Sequence, residues 1–257
     1  MNTLLRSLIA GSALVAASAS QAGIVISFDS NASAAEAAFV ASVAPGAVVE
    51  NFDGLGTNPQ YVNTGSLTHK EQWSWENHAS SFVTNVGTFK LVTPGQGPVT
   101  GDNINHKELN IESANTGEFG RESLSTYDGD LWLDSNDAKD VTWTFGAPLS
   151  GDFNAFGFYI ADATDRGATL TLKFKDGSAA TTSITIPAFQ SNGNLGYVTI
   201  KSTDSIVGGV LSFKNSTGAD GWGIDDITVG YVPEPGALML MGLGLLGLGA
   251  ARRRSKV

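Results

Sequence analysis

From about residue 80 to residue 230 the chain alternates apolar and polar positions in short runs that end at Gly, Asn, Asp or Ser. Val141-Thr142-Trp143-Thr144-Phe145 and Phe156-Gly157-Phe158-Tyr159-Ile160 have period two. So does the run from Thr169 to Lys175, which meets Asp176-Gly177, a hairpin-turn pair. A period of two puts alternate side chains on opposite faces, as a half-buried strand requires. Phe82 to Val92, Ile104 to Ile111, Leu131 to Leu133, Ser183 to Ile186, Tyr197 to Ile200, Val210 to Phe213 and Ile224 to Val229 supply further strand candidates. Gly208-Gly209 reads as a break between two of them.

Upstream, Ile24 to Phe28 and Ala47 to Phe52 also read as strands. Between them an Ala-rich stretch runs from Asp29-Ser30 to about Val43, with Ser33 and Glu36 at capping-box spacing. It predicts one short helix, ended by Pro45-Gly46. Residues 54–79 have no sustained period and read as a long loop. About ten to twelve strands with one helix predict an all-β fold, an antiparallel β-sandwich of jelly-roll type with a short N-terminal helix. No fixed-period repeat is present, which disfavours a solenoid.

The two ends follow different rules. Arg6, the apolar stretch Leu8 to Ala17 and the small residues Ser20 and Ala22 have the layout of a secretory signal peptide over residues 1–22, with cleavage expected after Ala22. At the other end Pro233-Glu234-Pro235 precedes fifteen uncharged residues, 237–251, and then Arg252, Arg253 and Arg254. Fifteen helical residues span about 22 Å, short of a bilayer core of roughly 30 Å. Flanking residues and snorkelling arginines narrow that gap. The expected division is 1–22 signal peptide, 23–231 exported β domain and 232–257 a C-terminal segment with a hydrophobic helix. The arginines belong on the cytoplasmic side.

The formal net charge of −10 hides an asymmetry. Residues 23–232 hold 10 basic and 24 acidic residues, a net charge of −14. So acidic a body is repelled by phosphate backbones, which excludes nucleic acid as the expected partner and favours divalent cations and neutral surfaces. There is no cysteine, so disulfides, thiolate metal sites and a cysteine nucleophile are excluded.

Pro233-Glu234-Pro235, the Gly/Leu-rich run and the terminal arginine cluster together resemble the PEP-CTERM sorting signal. The resemblance implies a Gram-negative host with an exosortase, a membrane protease-transpeptidase that recognises the tail and cuts near Pro233-Glu234-Pro235. It also implies a temporarily anchored precursor, a cell-surface or extracellular-matrix destination, and association with exopolysaccharide. The body loosely resembles that of many proteins with this tail, through Asn51-Phe52-Asp53-Gly54, Leu133-Asp134-Ser135-Asn136-Asp137, the run Phe156 to Asp162, and the run Trp222 to Ile227. That likeness implies a secreted sandwich and no assigned activity.

Three sets of residues carry candidate chemistry. Asp128, Asp130, Asp134, Asn136 and Asp137 crowd oxygen ligands into a turn-rich stretch, and Asp53 with Asp225 and Asp226 forms a second group if the early and late strands lie close. Calcium takes six to eight oxygens, so a structural calcium is the expected cofactor, with Asp53, Asp225, Asp226, Asp134 and Asp137 as ligand candidates. Asp162 and Asp165 make a third acidic group. Trp73 and Trp75 lie two apart beside Glu71, Glu76 and His78, a spacing that suits either sugar stacking or packing into the core. Glu108 and Glu112 are the carboxylate pair a glycan-active enzyme would need. Against catalysis, the three histidines show no HExxH and no G-x-S-x-G occurs. The sequence therefore points first to a non-catalytic exported surface or matrix protein, next to a calcium-stabilised, lectin-like carbohydrate-binding module, and last to a glycan-active enzyme.

Overall fold

A computed structural model describes residues 23–56, 60–63, 72–95, 108–113, 124, 130–135, 138–146, 152–163, 166–185, 194–215 and 221–233. The proposed signal peptide, the hydrophobic tail helix, Glu234, Pro235, Arg252, Arg253 and Arg254 lie outside them. Among the described residues no helix is long and apolar enough to cross a membrane.

In chain order the elements are β1 (Ile24–Asp29), α1 (Ala32–Ser42), β2 (Val48–Glu50), a 3-10 turn (Asp53–Leu55), β3 (Gln60–Asn63) and β4 (Gln72–Ala79). Then come β5 (Ser81–Thr84), β6 (Gly87–Thr93), β7 (Leu109–Ser113), β8 (Leu131–Asp134), β9 (Asp140–Phe145) and β10 (Phe153–Ala161). The last are β11 (Arg166–Phe174), β12 (Ala179–Thr185), β13 (Leu195–Asn215) and β14 (Gly223–Gly230). The described pairings are all antiparallel, as the alternating pattern predicts.

The 21 residues of β13 join two layers. Its first part pairs with β1 and β10, and its second part pairs with β11 and β9. Both the β10 and the β11 ladders slip register close to Ile206. Such irregularities bend and twist a strand, which lets one strand pass from one layer to the next. One layer carries β3-β4-β7-β8-β14-β10 with β1 and β2; the other carries β12-β11-β13-β9-β6-β5.

Period two then sorts the side chains. Phe82, Phe89, Trp143, Leu211 and Leu170 stand in register across neighbouring strands and are buried. Trp143 stacks on Phe89 at 5.2 Å and meets Phe145, Phe156 and Phe158 at 5.4, 6.1 and 5.8 Å. These contacts seal one layer against the other, and the indole N–H donates to the Val86 carbonyl at 3.2 Å. Helix α1 covers the outside of β10 and β13, where Phe39, Ala155 and Tyr197 form a small second core. A Cβ at Gly157 would collide with the Tyr197 hydroxyl and lie 2.7 Å from the Phe39 ring, so glycine there sets how closely the helix docks.

Several expectations are corrected. The run Phe82 to Val92 is two strands, split by a turn at Asn85-Val86, after which Gly87 opens β6 with φ 131°. The stretch read as a loop holds β3 and β4, paired with each other and, through β4, with β7. Beyond Trp73 and Trp75 their sequence sustains no apolar alternation, and the backbone ladder defines them. Gly208-Gly209 does not break the chain but lies within β13. A Cβ at Gly209 would fall on the Thr171 carbonyl oxygen and 2.7 Å from the Phe145 ring, so close packing is what requires glycine there. At the helix, Asn31 is the N-cap and no side chain caps it. Glu36 instead accepts a hydrogen bond from the Tyr159 hydroxyl at 2.7 Å.

Gly209→Ala is expected to destabilise the fold by about 1–3 kcal/mol through overpacking. For a domain of this size that lowers the melting midpoint by roughly 2–4 °C per kcal/mol. Thermal melts of the full chain and the variant check it, and an unchanged midpoint would contradict the role given to Gly209.

Candidate functional site

The site forms where β14, β10 and the start of α1 meet. Trp222 is buried against Phe213 at 4.4 Å between ring centroids. Its amide donates to Ser135 Oγ at 2.7 Å, and the Ser135 amide donates back to the Trp222 carbonyl at 3.0 Å. This anchor fixes the start of β14. Three residues later the β10–β14 ladder slips between Gly157 and Tyr159, and Asp226 takes φ 45°. An aspartate tolerates the left-handed region better than most side chains. The irregularity leaves Asp225 opposite Tyr159 and buried, with its Oδ1 accepting the Asp226 amide at 2.7 Å.

Asp53 comes from the other end of the sequence. Phe52, fully buried with φ 59°, locks into the core against Phe89, and its amide donates to Glu50 Oε1 at 2.8 Å. The turn that follows carries Asp53. Its Oδ1 accepts the Leu131 amide at 3.1 Å and its Oδ2 accepts from Asn51 at 2.6 Å. This ties the turn to the start of β8, next to Asp130. Asp130, Asp226 and Tyr159 then line a cavity of about 390 Å³ together with Asn31, Asn51 and Ser33.

Like charges dominate the electrostatics. Burial, then the neighbouring Asp226, Asp130 and Asp53, hold the Asp225 carboxyl well above the usual carboxylate range, against the opposing effect of the Asp226 amide. Asp226 is pushed up to about 6 by burial and by Glu36, Asp130 and Asp53. Burial and Glu36 also raise the Tyr159 hydroxyl, and burial followed by Glu36, Tyr159 and Asp226 raises that of Tyr197.

The structure thus brings Asp53, Asp225 and Asp226 into one electrostatic neighbourhood and adds Asp130 and Glu36 to it. Among the described residues, no three carboxylate or imidazole side chains converge closely enough to hold a metal ion. Asp134 stands apart, buried at the end of β8 opposite Gly223 and Asn110. Asp128, Asn136, Asp137 and Asp165 lie outside the described residues, and Asp162 is buried with φ 53°. Trp73 and Trp75 lie in β4, opposite Val62 and Gln60, and Trp75 is also opposite Glu112. Glu108 precedes β7 and pairs with His78 Nδ1 at 2.6 Å, whereas Glu112 lies buried within β7. Sequence reasoning missed the parts of Glu36, Tyr159 and Tyr197. Glu36 has the spacing of a capping box, and the two tyrosines sit in strand runs whose apolar neighbours dominate the pattern.

The PEP-CTERM protein-sorting motif matches residues 232–254. The chain carries the PEP-CTERM protein-sorting motif on an antiparallel β-sandwich body, and the motif indicates an exported protein sorted to the cell envelope. A search of curated proteins finds no match. Among solved structures, it is similar to the CBM22-1 xylan-binding domain of Xyn10C from Paenibacillus barcinonensis, at 9% identity and TM-score 0.31, covering 49% of this chain and 83% of that one. It is also similar to TmCBM61 in complex with β-1,4-galactotriose, at 12% identity and TM-score 0.27, covering 47% and 80%. The K3 cleaved adhesin domain of Lys-gingipain from Porphyromonas gingivalis aligns at 10% identity and TM-score 0.29, covering 72% and 98%.

The acidic site makes a pH prediction. In the folded chain Asp225 and Asp226 hold protons that the unfolded chain releases near pH 4. Between there and about 6 the folded state binds more protons, so this cluster lowers stability as pH rises through that window. Asn accepts the same left-handed backbone, so Asp226→Asn is expected to raise the melting midpoint at pH 7 and to flatten its fall from pH 4. Melts of the full chain in chelator across that range decide it; a variant that melts lower at pH 7, with the slope unchanged, would sink the reading.

Proposed function

We propose that the protein is a non-catalytic cell-surface or extracellular-matrix component of a Gram-negative bacterium, associated with exopolysaccharide. An exosortase processes it from a precursor held briefly in the inner membrane by its C-terminal helix. The observation that carries this reading is the sorting motif, which begins at residue 232, directly after β14 ends at Gly230. The junction is fastened to the body. The Val232 amide donates to Asn154 Oδ1 at 2.7 Å, and Asn154 Nδ2 donates back to the Val232 carbonyl at 3.0 Å. The Ala44 amide adds a bond to the Tyr231 carbonyl at 2.8 Å. A cut near Pro233-Glu234-Pro235 then falls just beyond the last fastened residue and leaves a closed fold behind.

Replacing Pro233, Glu234 and Pro235 by alanine is expected to trap a full-length, membrane-bound form. Cell fractionation with an antibody to the body reads it out. Normal release of the variant would remove the exosortase from the account.

A second reading is favoured by the gathering of Asp53, Asp130, Asp225 and Asp226: a calcium-stabilised carbohydrate-binding module. A divalent cation would offset the repulsion that raises Asp225 and Asp226, provided the carboxylates draw closer together. Trp73 and Trp75 remain its candidate sugar-stacking residues. A ligand that binds only the native state raises the melting midpoint by mass action. The expected result is a saturable rise in calcium over chelator that Asp225→Asn abolishes. Equal midpoints in calcium and chelator would remove calcium from this reading.

A further inference from the structure

The net charge of the body conceals a face of the opposite character. Ser81, Lys90, Thr142, Ser212, Thr169 and Ser183 stand in register, one from each strand of the β5-β6-β9-β13-β11-β12 layer. Two residues further along, a second row runs Val83, Thr88, Thr144, Val210, Thr171 and Thr181. These positions are exposed or partly exposed and alternate with the buried positions that build the core. Lys173 and Lys214 extend the same outward phase of β11 and β13 and are exposed. Asp140, across from Lys214, is the acid within these rows and their extensions, so three lysines face one carboxylate. The acidic cluster sits elsewhere, on α1, β14, the 3-10 turn and the start of β8.

We propose that this outer sheet face docks an anionic polysaccharide chain bearing uronate carboxylates. The proposal rests on the matrix reading above and deepens it by naming the surface and the sugar class. Charge complementarity chooses the occupant. Lysines spread over the face meet carboxylates spaced along a polymer; Ser81 and Thr142 donate to the Phe89 and Lys90 carbonyls and Ser212 to Asp140, so toward a sugar these three hydroxyls accept. Six strands at about 4.8 Å spacing make rows of roughly 24 Å, long enough for several sugar rings. Neither row contains an aromatic side chain, so the stacking platform that favours uncharged sugars is missing from it. The overall negative charge does not forbid the contact, because the screening length at physiological salt is about 8 Å and the lysines act locally. Each exposed ion pair is weak, and a repeating polymer gains affinity by engaging several at once.

Affinity electrophoresis of the full-length chain in gels containing polygalacturonate, dextran or duplex DNA tests the proposal. The expected result is retardation by polygalacturonate alone, weakened by salt. Combining Lys90→Gln, Lys173→Gln and Lys214→Gln should reduce that affinity about tenfold, with the melting midpoint unchanged. A separate variant, Thr142→Val with Thr169→Val, keeps strand-forming residues and should weaken binding without altering its salt dependence. Undiminished binding by the lysine variant, or equal retardation by DNA, would overturn the proposal. Retention in the native matrix separates the two levels of the reading. If wild type and lysine variant are both retained, the matrix role stands and this face is the wrong surface. If wild type is not retained, the matrix role itself fails.

Discussion

The backbone ladder of β13 is the constraint on which the other features depend. One strand hydrogen-bonds to β1 and β10 along its first part and to β11 and β9 along its second. It therefore fixes both the separation and the angle of the two layers. Without cysteine no covalent link can do this, so the exported chain relies on a continuous ladder and on the aromatic cluster around Trp143. Both the acidic site and the open sheet face are arranged around this strand. Tyr197, under the helix, belongs to its first part; Val210, Ser212 and Lys214, on the open face, belong to its second. Gly209 shows how tightly the crossing is drawn, since it sits against the Thr171 carbonyl on one side and the Phe145 ring on the other.

Much of this was legible in the sequence where a single physical rule acts alone. The alternation of Val141 to Phe145 and of Thr169 to Phe174 reports one buried and one open face, and those residues are in β9 and β11. The helix was legible from its alanines and from Pro45-Gly46. The continuity of β13 was not, because two glycines are a turn signal locally and a packing requirement only in three dimensions. β3 and β4 were not, because a strand held by its backbone neighbours needs no apolar period. Glu36 matched a capping box by spacing, yet a tertiary partner, Tyr159, competes better for its carboxylate.

The acidic site shows the same division. Asp53 and the Asp225-Asp226 pair were recognisable as residues that would meet if the early and late strands lay close, and β2 does pair with β14. The register slip and the left-handed Asp226 were invisible in the sequence, although they determine which carboxylate is buried. Burying Asp225 beside three other carboxylates works against folding at neutral pH. Such a cost persists where the surrounding structure over-determines it. Here the Trp222–Ser135 bonds and the Phe52 anchor are the determining contacts.

Net charge describes the field that a partner meets from afar, where a body at −14 favours cations and neutral surfaces. Within a screening length, a partner meets local groups, and the fold has sorted them. Strand alternation, pairing register and the passage of β13 between layers place the carboxylates of α1, the 3-10 turn and β14 together, and they place Lys90, Lys173 and Lys214 together on a different surface. Because the sorting follows from backbone register, it withstands changes at single positions: exchanging one threonine on the open face alters one contact, whereas a one-residue slip of β13 would turn Leu211 and Phe213 outward and bury Ser212 and Lys214. The register that the core requires is therefore the same register that keeps the two surfaces chemically distinct.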